Sequence, residues 1–294
     1  MVILFIAGFY LGFLSLVHWL KKIFHNRSIS IILDGISTIL IVVISIPIMI
    51  VLRYVWLFLL KYFPESRYKY SHFIITGILF LIGIKLKFEG KFCLDAKIAI
   101  FNHSSPLDYL LIPYFMPMLP YNIVAGINLK NNKKTLEDKV VSWFIGDIIK
   151  DCLIPVDRED DISKMKAYKT MLRELGKGKI VGLSPEEGRI SKKLVNKGSV
   201  LKPEEEFSES AFRASFKYGY KIQVVMLDWP VIWFGKDDER FGIHPTTIRI
   251  SYTTVLSQKD FKSKEDMREY CYDLMEQKLS SSKNVQRFLK ELQK

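Results

Sequence analysis

Charge is spread so unevenly along this 294-residue chain that its two parts suit different solvents. Residues 1–90 hold 12 of the charged side chains, nine basic and three acidic, and residues 91–294 hold the other 62. A first third this poor in charge suits hydrocarbon and the remainder suits water, which excludes a wholly soluble globule. The 20 Phe and 14 Tyr, beside only 25% charged residues, exclude a disordered chain. Residues 1–20 carry no formal charge and are closed by Lys21 and Lys22. That is about the length of a spanning helix. No positive region precedes the apolar run and no small-residue cleavage site follows it, so a retained membrane helix is expected rather than a signal peptide. A second run, residues 35–52, is uncharged and contains Pro47, which membrane helices tolerate as a kink. Residues 54–60 can extend it beyond Arg53. A third run, residues 73–84, is short for a span. It fits an interfacial helix, and equally a buried helix of the part that follows. Lys21, Lys22 and Arg27 follow the first run, while Lys61, Arg67 and Lys69 follow the second, so charge leaves the topology open.

The net charge of +12 divides evenly, +6 on each side of residue 90. A basic excess points to nucleic acid or to an anionic membrane surface. Without zinc-finger spacing or an RNA-recognition signature, no nucleic-acid partner is expected. Lysines beside apolar segments more naturally face lipid headgroups, at about 1 kcal/mol each near an anionic leaflet. Cys93, Cys152 and Cys271 are far apart and form no CxxC pair, which argues against a disulfide scaffold and fits a reducing compartment. The five histidines are scattered and no HExxH occurs, so no metal site is expected.

Beyond residue 90 short apolar runs alternate with helical patterns. Residues 97–101 (KIAIF) read as a buried strand, followed by a polar turn and a helix over about 106–116. Residues 139–149 read as helix and 152–156 as a short strand. Residues 162–175 place Met165, Tyr168, Met171, Leu172 and Leu175 at helical spacing, with Gly176 as a stop. Residues 179–184 (KIVGLS) read as strand, 208–218 as helix, and 221–227 and 247–255 as strands. A closing helix starts near Ser263, where SKED resembles a capping box, and runs towards residue 279. Strands alternating with helices predict an α/β layered domain with a largely parallel sheet. The expected division is residues 1–87 as membrane-embedded or interfacial helices and residues 88–294 as the α/β domain.

Two polar clusters follow predicted strands directly. In Asn102-His103-Ser104-Ser105-Pro106-Leu107-Asp108, helix-start chemistry accounts for Ser105 as N-cap, Pro106 as first residue and Asp108 in the first turn. It does not account for His103. An imidazole five residues before a first-turn carboxylate can be held by it, and so be oriented towards a hydroxyl. In Ser184-Pro185-Glu186-Glu187-Gly188-Arg189, a solvated turn and an anion site at a strand's carboxyl end are both open. Ile154-Pro155-Val156-Asp157-Arg158 is weak alone, and Gln223-Val224-Val225-Met226 reads as core strand.

In this order, behind an apolar N-terminus, these clusters resemble the motifs of the glycerolipid acyltransferase family, with the 1-acylglycerol-3-phosphate (lysophosphatidate) acyltransferases as the nearest branch. The first family motif, Asn-His-x-x-x-x-Asp, is matched by Asn102, His103 and Asp108. The second is matched by Ile154, Asp157 and Arg158. The third, usually Phe-Pro-Glu-Gly-Thr-Arg, is matched by Pro185, Glu186 and Arg189, with glycine one place later at Gly188. The fourth, a Val/Ile-Pro strand, is represented by residues 222–225, with Val224 where proline is common. The resemblance covers about residues 88–230. The displaced Gly188 lets either Glu186 or Glu187 take the family's glutamate role. The Lys-x-Gly often found before the next helix is missing near residues 207–212, which bears on headgroup recognition more than on acyl transfer.

The resemblance implies an acyltransferase domain preceded by membrane helices, and a membrane-bound enzyme of phospholipid biosynthesis. A fatty acyl group would move from a thioester to the free hydroxyl of a lysophospholipid. His103 would be the general base and Asp108 its orienting carboxylate. Asn102, Arg158, Glu186, Glu187, Gly188 and Arg189 would bind substrate, with Arg158 and Arg189 suited to a phosphate. No cofactor is implied beyond the co-substrate, acyl-CoA or an acyl carrier protein thioester. The partners implied are the two substrates, membrane lipids and, for one form of the donor, the carrier protein. The catalytic domain would face the cytoplasm. Two readings compete: an acyltransferase remodelling another lysolipid, and a non-catalytic, membrane-anchored lipid-binding protein. An α/β hydrolase is disfavoured because Gly182-Leu183-Ser184-Pro185-Glu186 lacks the second glycine of Gly-x-Ser-x-Gly.

Overall fold

The computed structural model describes residues 27–63, 67–81, 84–103, 121–126, 152–157, 160–186, 207–228 and 246–283, with isolated positions such as Asp108, Leu111, Ile112 and Leu201. It divides into two compact units, residues 1–86 with 239–248, and residues 87–238 with 249–294. The expected first membrane helix lies outside the described residues apart from helical positions 16, 19 and 20, as does the helix expected over 139–149.

In the first unit α1 (Arg27–Tyr62) is a single 36-residue helix that runs through Pro47, and α2 (Arg67–Leu81) has 15 residues. The two pack together. Trp56 of α1 and Ile74, Ile75 and Leu79 of α2 are buried. Gly77 allows a close approach, since a Cβ there would stand 3.7 Å from Leu52 Cδ1. On the described side chains alone, no helix is long and apolar enough to cross a membrane. The full sequence of α1 nonetheless includes the uncharged run 35–52. Ile39, Val43, Val51, Tyr54 and Phe58 of α1 all stand exposed. At about 1.5 Å per residue, α2 is too short to span a bilayer core. Its described end at Leu81 corrects the expected helix over 73–84, because Ile84 already belongs to a strand.

Seven strands form one sheet: β1 (Ile84–Glu89), β2 (Ala96–Phe101), β3 (Tyr121–Gly126), β4 (Leu153–Val156), β5 (Ile180–Leu183), β6 (Lys221–Asp228) and β7 (Thr246–Leu256), in the order β1-β7-β6-β2-β5-β3-β4. Pairings β2/β5, β2/β6, β3/β4 and β3/β5 are parallel, and β6/β7 is antiparallel. The largely parallel α/β layered domain is therefore present. Its central strands read as near-continuous apolar runs because a parallel sheet is covered on both faces. Two strands were not anticipated from the sequence. β1 is an edge strand whose alternation, IKLKFE, was the available signal. β3 carries only three consecutive apolar residues, Ile123 to Ala125, between the buried Asn122 and Gly126, too short a run to register alone.

Helices α3 (Asp161–Gly176), α4 (Ser210–Tyr218) and α5 (Lys264–Ser280) join one core with Ile98, Ile100, Val181, Leu183, Ile222 and Val224. In α5 the contact face is Met267, Cys271, Met275 and Leu279, one residue per turn. Its start matches the expected capping box in part. Ser263 Oγ accepts from the Asp266 N–H, while the Asp266 carboxylate accepts from Lys262 N–H instead of the N-cap's own. Gln223, buried within β6, accepts the Cys93 N–H at 3.1 Å and donates to Thr254 O at 3.1 Å, which fits its reading as core strand.

The join from α3 to β5 is held by one buried acid. Glu174 pairs with Lys177 (2.8 Å), Lys179 (2.6 Å) and Arg173 (3.3 Å). Hydrogen bonds from Lys177 and then Lys179 pull its carboxyl down to about 2. Because the folded value is depressed, the stabilisation is present above the unfolded carboxylate range and disappears as pH falls from about 4.5 towards 2. Glu174→Gln is expected to be less stable than the parent at neutral pH, with the difference closing across that acid window. Thermal melts at several pH values measure it, and a gap that stays constant down to pH 2 overturns the assignment.

Candidate active site

The parallel register brings several sequence-distant polar residues to one edge of the sheet. β2, β5 and β6 run side by side in the same direction, so their carboxyl ends deliver Asn102 and His103, Ser184 to Glu186, and Leu227 with Asp228 to a common edge. Open α/β sheets place ligands at this edge, where strand order lets the loops diverge.

His103 is held from both sides. Its ring Nδ1 lies 3.0 Å from Asp108 Oδ2, and its backbone N–H donates to Glu186 Oε1 at 3.3 Å. The His103 side chain is 12% exposed and that of Asp108 only 1%. A carboxylate only accepts, so the shared proton sits on Nδ1 and leaves Nε2 as the ring's acceptor. Asp108 is helical, as are Leu111 and Ile112 one turn on, and all three are buried. The apolar residues anchor the turn that carries the acid.

Asn102 does different work. Its Oδ1 accepts from Leu227 N–H at 2.7 Å and its Nδ2 donates to Leu227 O at 3.0 Å. Both ends of the amide thus grip one residue of the neighbouring strand, directly before His103. Beyond Leu227, Asp228 Oδ1 accepts from Ser282 Oγ at 2.6 Å, which ties the residues after α5 to the same edge. Glu186 is fully buried, and Pro185 O accepts from Ser208 N–H at 2.8 Å, linking the turn after β5 to the approach to α4. Asp157, after β4, donates its backbone N–H to Ser163 Oγ at 2.8 Å.

The sequence-derived candidates therefore separate. Asn102, His103, Asp108 and Glu186 come together, while Arg158, Glu187, Gly188 and Arg189 lie outside the described residues. The grip on Leu227 and the bond to Glu186 were not foreseen, because each joins residues 83 or more positions apart. Ser184 Oγ is buried and finds no hydrogen-bond partner among the described residues. Beside Ser184, a cavity of about 120 Å³ has a mixed lining, apolar at Val124, Val156 and Met171 and polar at Lys164, Tyr168 and Ser208.

The arrangement is a base oriented by a buried acid at a sheet edge. It can take a proton from a hydroxyl without forming a covalent intermediate on the protein. Comparison with known proteins agrees. The acyltransferase family model matches residues 94–234, a span that contains all four motifs. Among solved structures, the crystal structure of the 1-acyl-sn-glycerophosphate (LPA) acyltransferase PlsC from Thermotoga maritima matches with a TM-score of 0.50 and 16% identity, over 80% of this chain and 97% of that one. At that identity the likeness shows a shared fold. No curated protein gives a significant match. The expected resemblance to an acyltransferase is borne out by the family model. With all four motifs inside the matched span, residues 94–234 form an acyltransferase domain, and the chain is an acyltransferase.

Proposed function

We propose that this enzyme moves a fatty acyl group from an acyl thioester to the free hydroxyl of 1-acylglycerol-3-phosphate, giving phosphatidic acid, while bound to a membrane. The observation that carries this reading is the His103–Asp108 pair at 3.0 Å, at the mouth of the sheet's carboxyl edge. His103 Nε2 takes the hydroxyl proton as the oxygen attacks the thioester carbonyl. The tetrahedral intermediate collapses with loss of the thiolate, which takes up a proton. Asp108 stabilises the imidazolium that forms between these steps. The donor is an acyl-CoA or acyl carrier protein thioester, and no further cofactor enters. The exposed apolar side chains of α1, with its uncharged run 35–52, support burial of that helix in lipid. A catalytic domain on the cytoplasmic face fits the three far-apart cysteines, which suit a reducing compartment.

For the acceptor's phosphate, Arg189 is the stronger candidate. It follows β5, whose end carries Glu186 at the site, whereas Arg158 is followed in the sequence by Glu159, Asp160 and Asp161, a run of acids that disfavours an anionic ligand beside it. Steady-state kinetics with lysophosphatidate, and with a lysolipid lacking a phosphate monoester, test both the acceptor and the residue. Turnover is expected with lysophosphatidate. Arg189→Ala should weaken its apparent affinity by about 2 kcal/mol, or about thirtyfold, and Arg189→Lys should recover little. Equal loss with both acceptors removes the phosphate role of Arg189. Preference for the second acceptor in the parent enzyme makes it a remodelling enzyme of another lysolipid, and absence of turnover leaves only a lipid-binding role.

A further inference from the structure

We infer that the amino-terminal half of α3 is a second membrane contact, which docks the sheet's carboxyl edge on a bilayer surface carrying anionic headgroups. This rests on the lipid-substrate reading above and concerns a surface that the reading does not use.

The starting observation is an inversion on α3. Its inward face is Ala167, Met171, Glu174 and Leu175. The opposite face should be polar, yet Ile162 is 75% exposed and Met165 is 54% exposed. At 100° per residue these two fall on one stripe with Lys166 and Lys169, both exposed. The stripe is about 10 Å long, from apolar tip to second lysine. A single exposed Ile would need no explanation, but two neighbours on one turn, followed on the same line by two cations, form an apolar tip with a basic collar.

Position and charge together select the occupant. α3 begins at Asp161, soon after β4 ends at Val156, and β4 runs parallel to β3, β3 to β5 and β5 to β2. Ile162 and Met165 therefore stand at the same edge as His103. The acids at the start of the helix are already engaged. Asp160 caps the Ile162 N–H at 3.0 Å, and Asp161 takes Lys164 at 3.0 Å. Lys166 and Lys169 have no ion pair among the described residues, which leaves their charge for an external anion. An acyl-boundary contact at the tip, with headgroup phosphates around the two lysines, matches this pattern.

The experiment uses the full chain. Cys152 and Cys271 are buried and Cys93 is only partly so. Cys93→Ser with Ile162→Cys therefore gives one reactive position for an environment-sensitive fluorophore. A control carries Asp95→Cys instead, an exposed turn residue directly before β2, at the opposite edge. Both proteins are reconstituted into phosphatidylcholine vesicles with and without phosphatidylglycerol, and doxyl-labelled lipid is added as quencher. Quenching is expected at position 162 in anionic vesicles and not at position 95. Lys166→Ser with Lys169→Ser should shift the docked equilibrium about thirtyfold towards the undocked state. A probe at 162 that stays in water overturns the inference, and so does one shielded without lipid quenching, which means a protein contact. Equal quenching in neutral vesicles overturns the anionic preference. Lysophosphatidate turnover measured on the same samples separates the two readings. Turnover without quenching removes only this surface, and quenching without turnover supports the surface while removing the catalytic assignment.

Discussion

Replacing His103 with alanine is expected to lower acyl transfer by about 10²- to 10⁴-fold, the usual worth of a positioned general base, while the protein stays folded. The ring's Nδ1 lies 3.0 Å from Asp108 Oδ2, and the backbone bond of His103 to Glu186 survives the substitution. The protein should stay folded but lose about 1–3 kcal/mol of stability, because the buried Asp108 is left without that partner. Asp108→Asn is the sharper companion. An asparagine amide can still face Nδ1, but it cannot stabilise an imidazolium and it permits the wrong ring tautomer. Most activity should be lost in both variants, chiefly in kcat, because the proton moves in the transition state. Single-turnover assays with lysophosphatidate and an acyl thioester, alongside circular dichroism melts, measure both quantities. Near-normal turnover by a folded His103→Ala protein would remove the mechanism at its centre.

The second large effect is expected at Asn102, through position and not through chemistry. Asn102→Ala deletes two buried hydrogen bonds and strips Leu227 of those partners for its N–H and C=O. Leaving buried backbone groups without partners costs about 1–3 kcal/mol each, so a loss of about 2–4 kcal/mol in stability is expected. The same bonds hold the end of β2 against β6 one residue before His103, so kcat should fall while apparent affinity for the lysolipid changes little. Asn102→Asp separates the two bonds. It keeps an acceptor for the Leu227 N–H but turns a carboxylate oxygen towards Leu227 O. Urea denaturation and steady-state kinetics on both variants test this. If Asn102→Ala lost substrate affinity with kcat unchanged, Asn102 would touch substrate and would not act as a positioning residue.

Much of this molecule is legible along the chain, because its local signals are strong. The apolar runs of β2, β5 and β6 announce buried parallel strands, and the capping-box pattern at Ser263 announces α5. His103 and Asp108 are only five residues apart, so a turn of predictable chemistry already brings them within reach. β1 and β3 stayed hidden for a different reason. Three apolar residues, or a short alternation at an edge, become a strand only when a neighbouring strand supplies hydrogen bonds. The site's frame is likewise a product of pairing. Asn102 meets Leu227 across 125 positions, and His103 meets Glu186 across 83. No residue pattern states such distances. They follow from which strands lie side by side and in what register, which the burial of whole sheet faces decides.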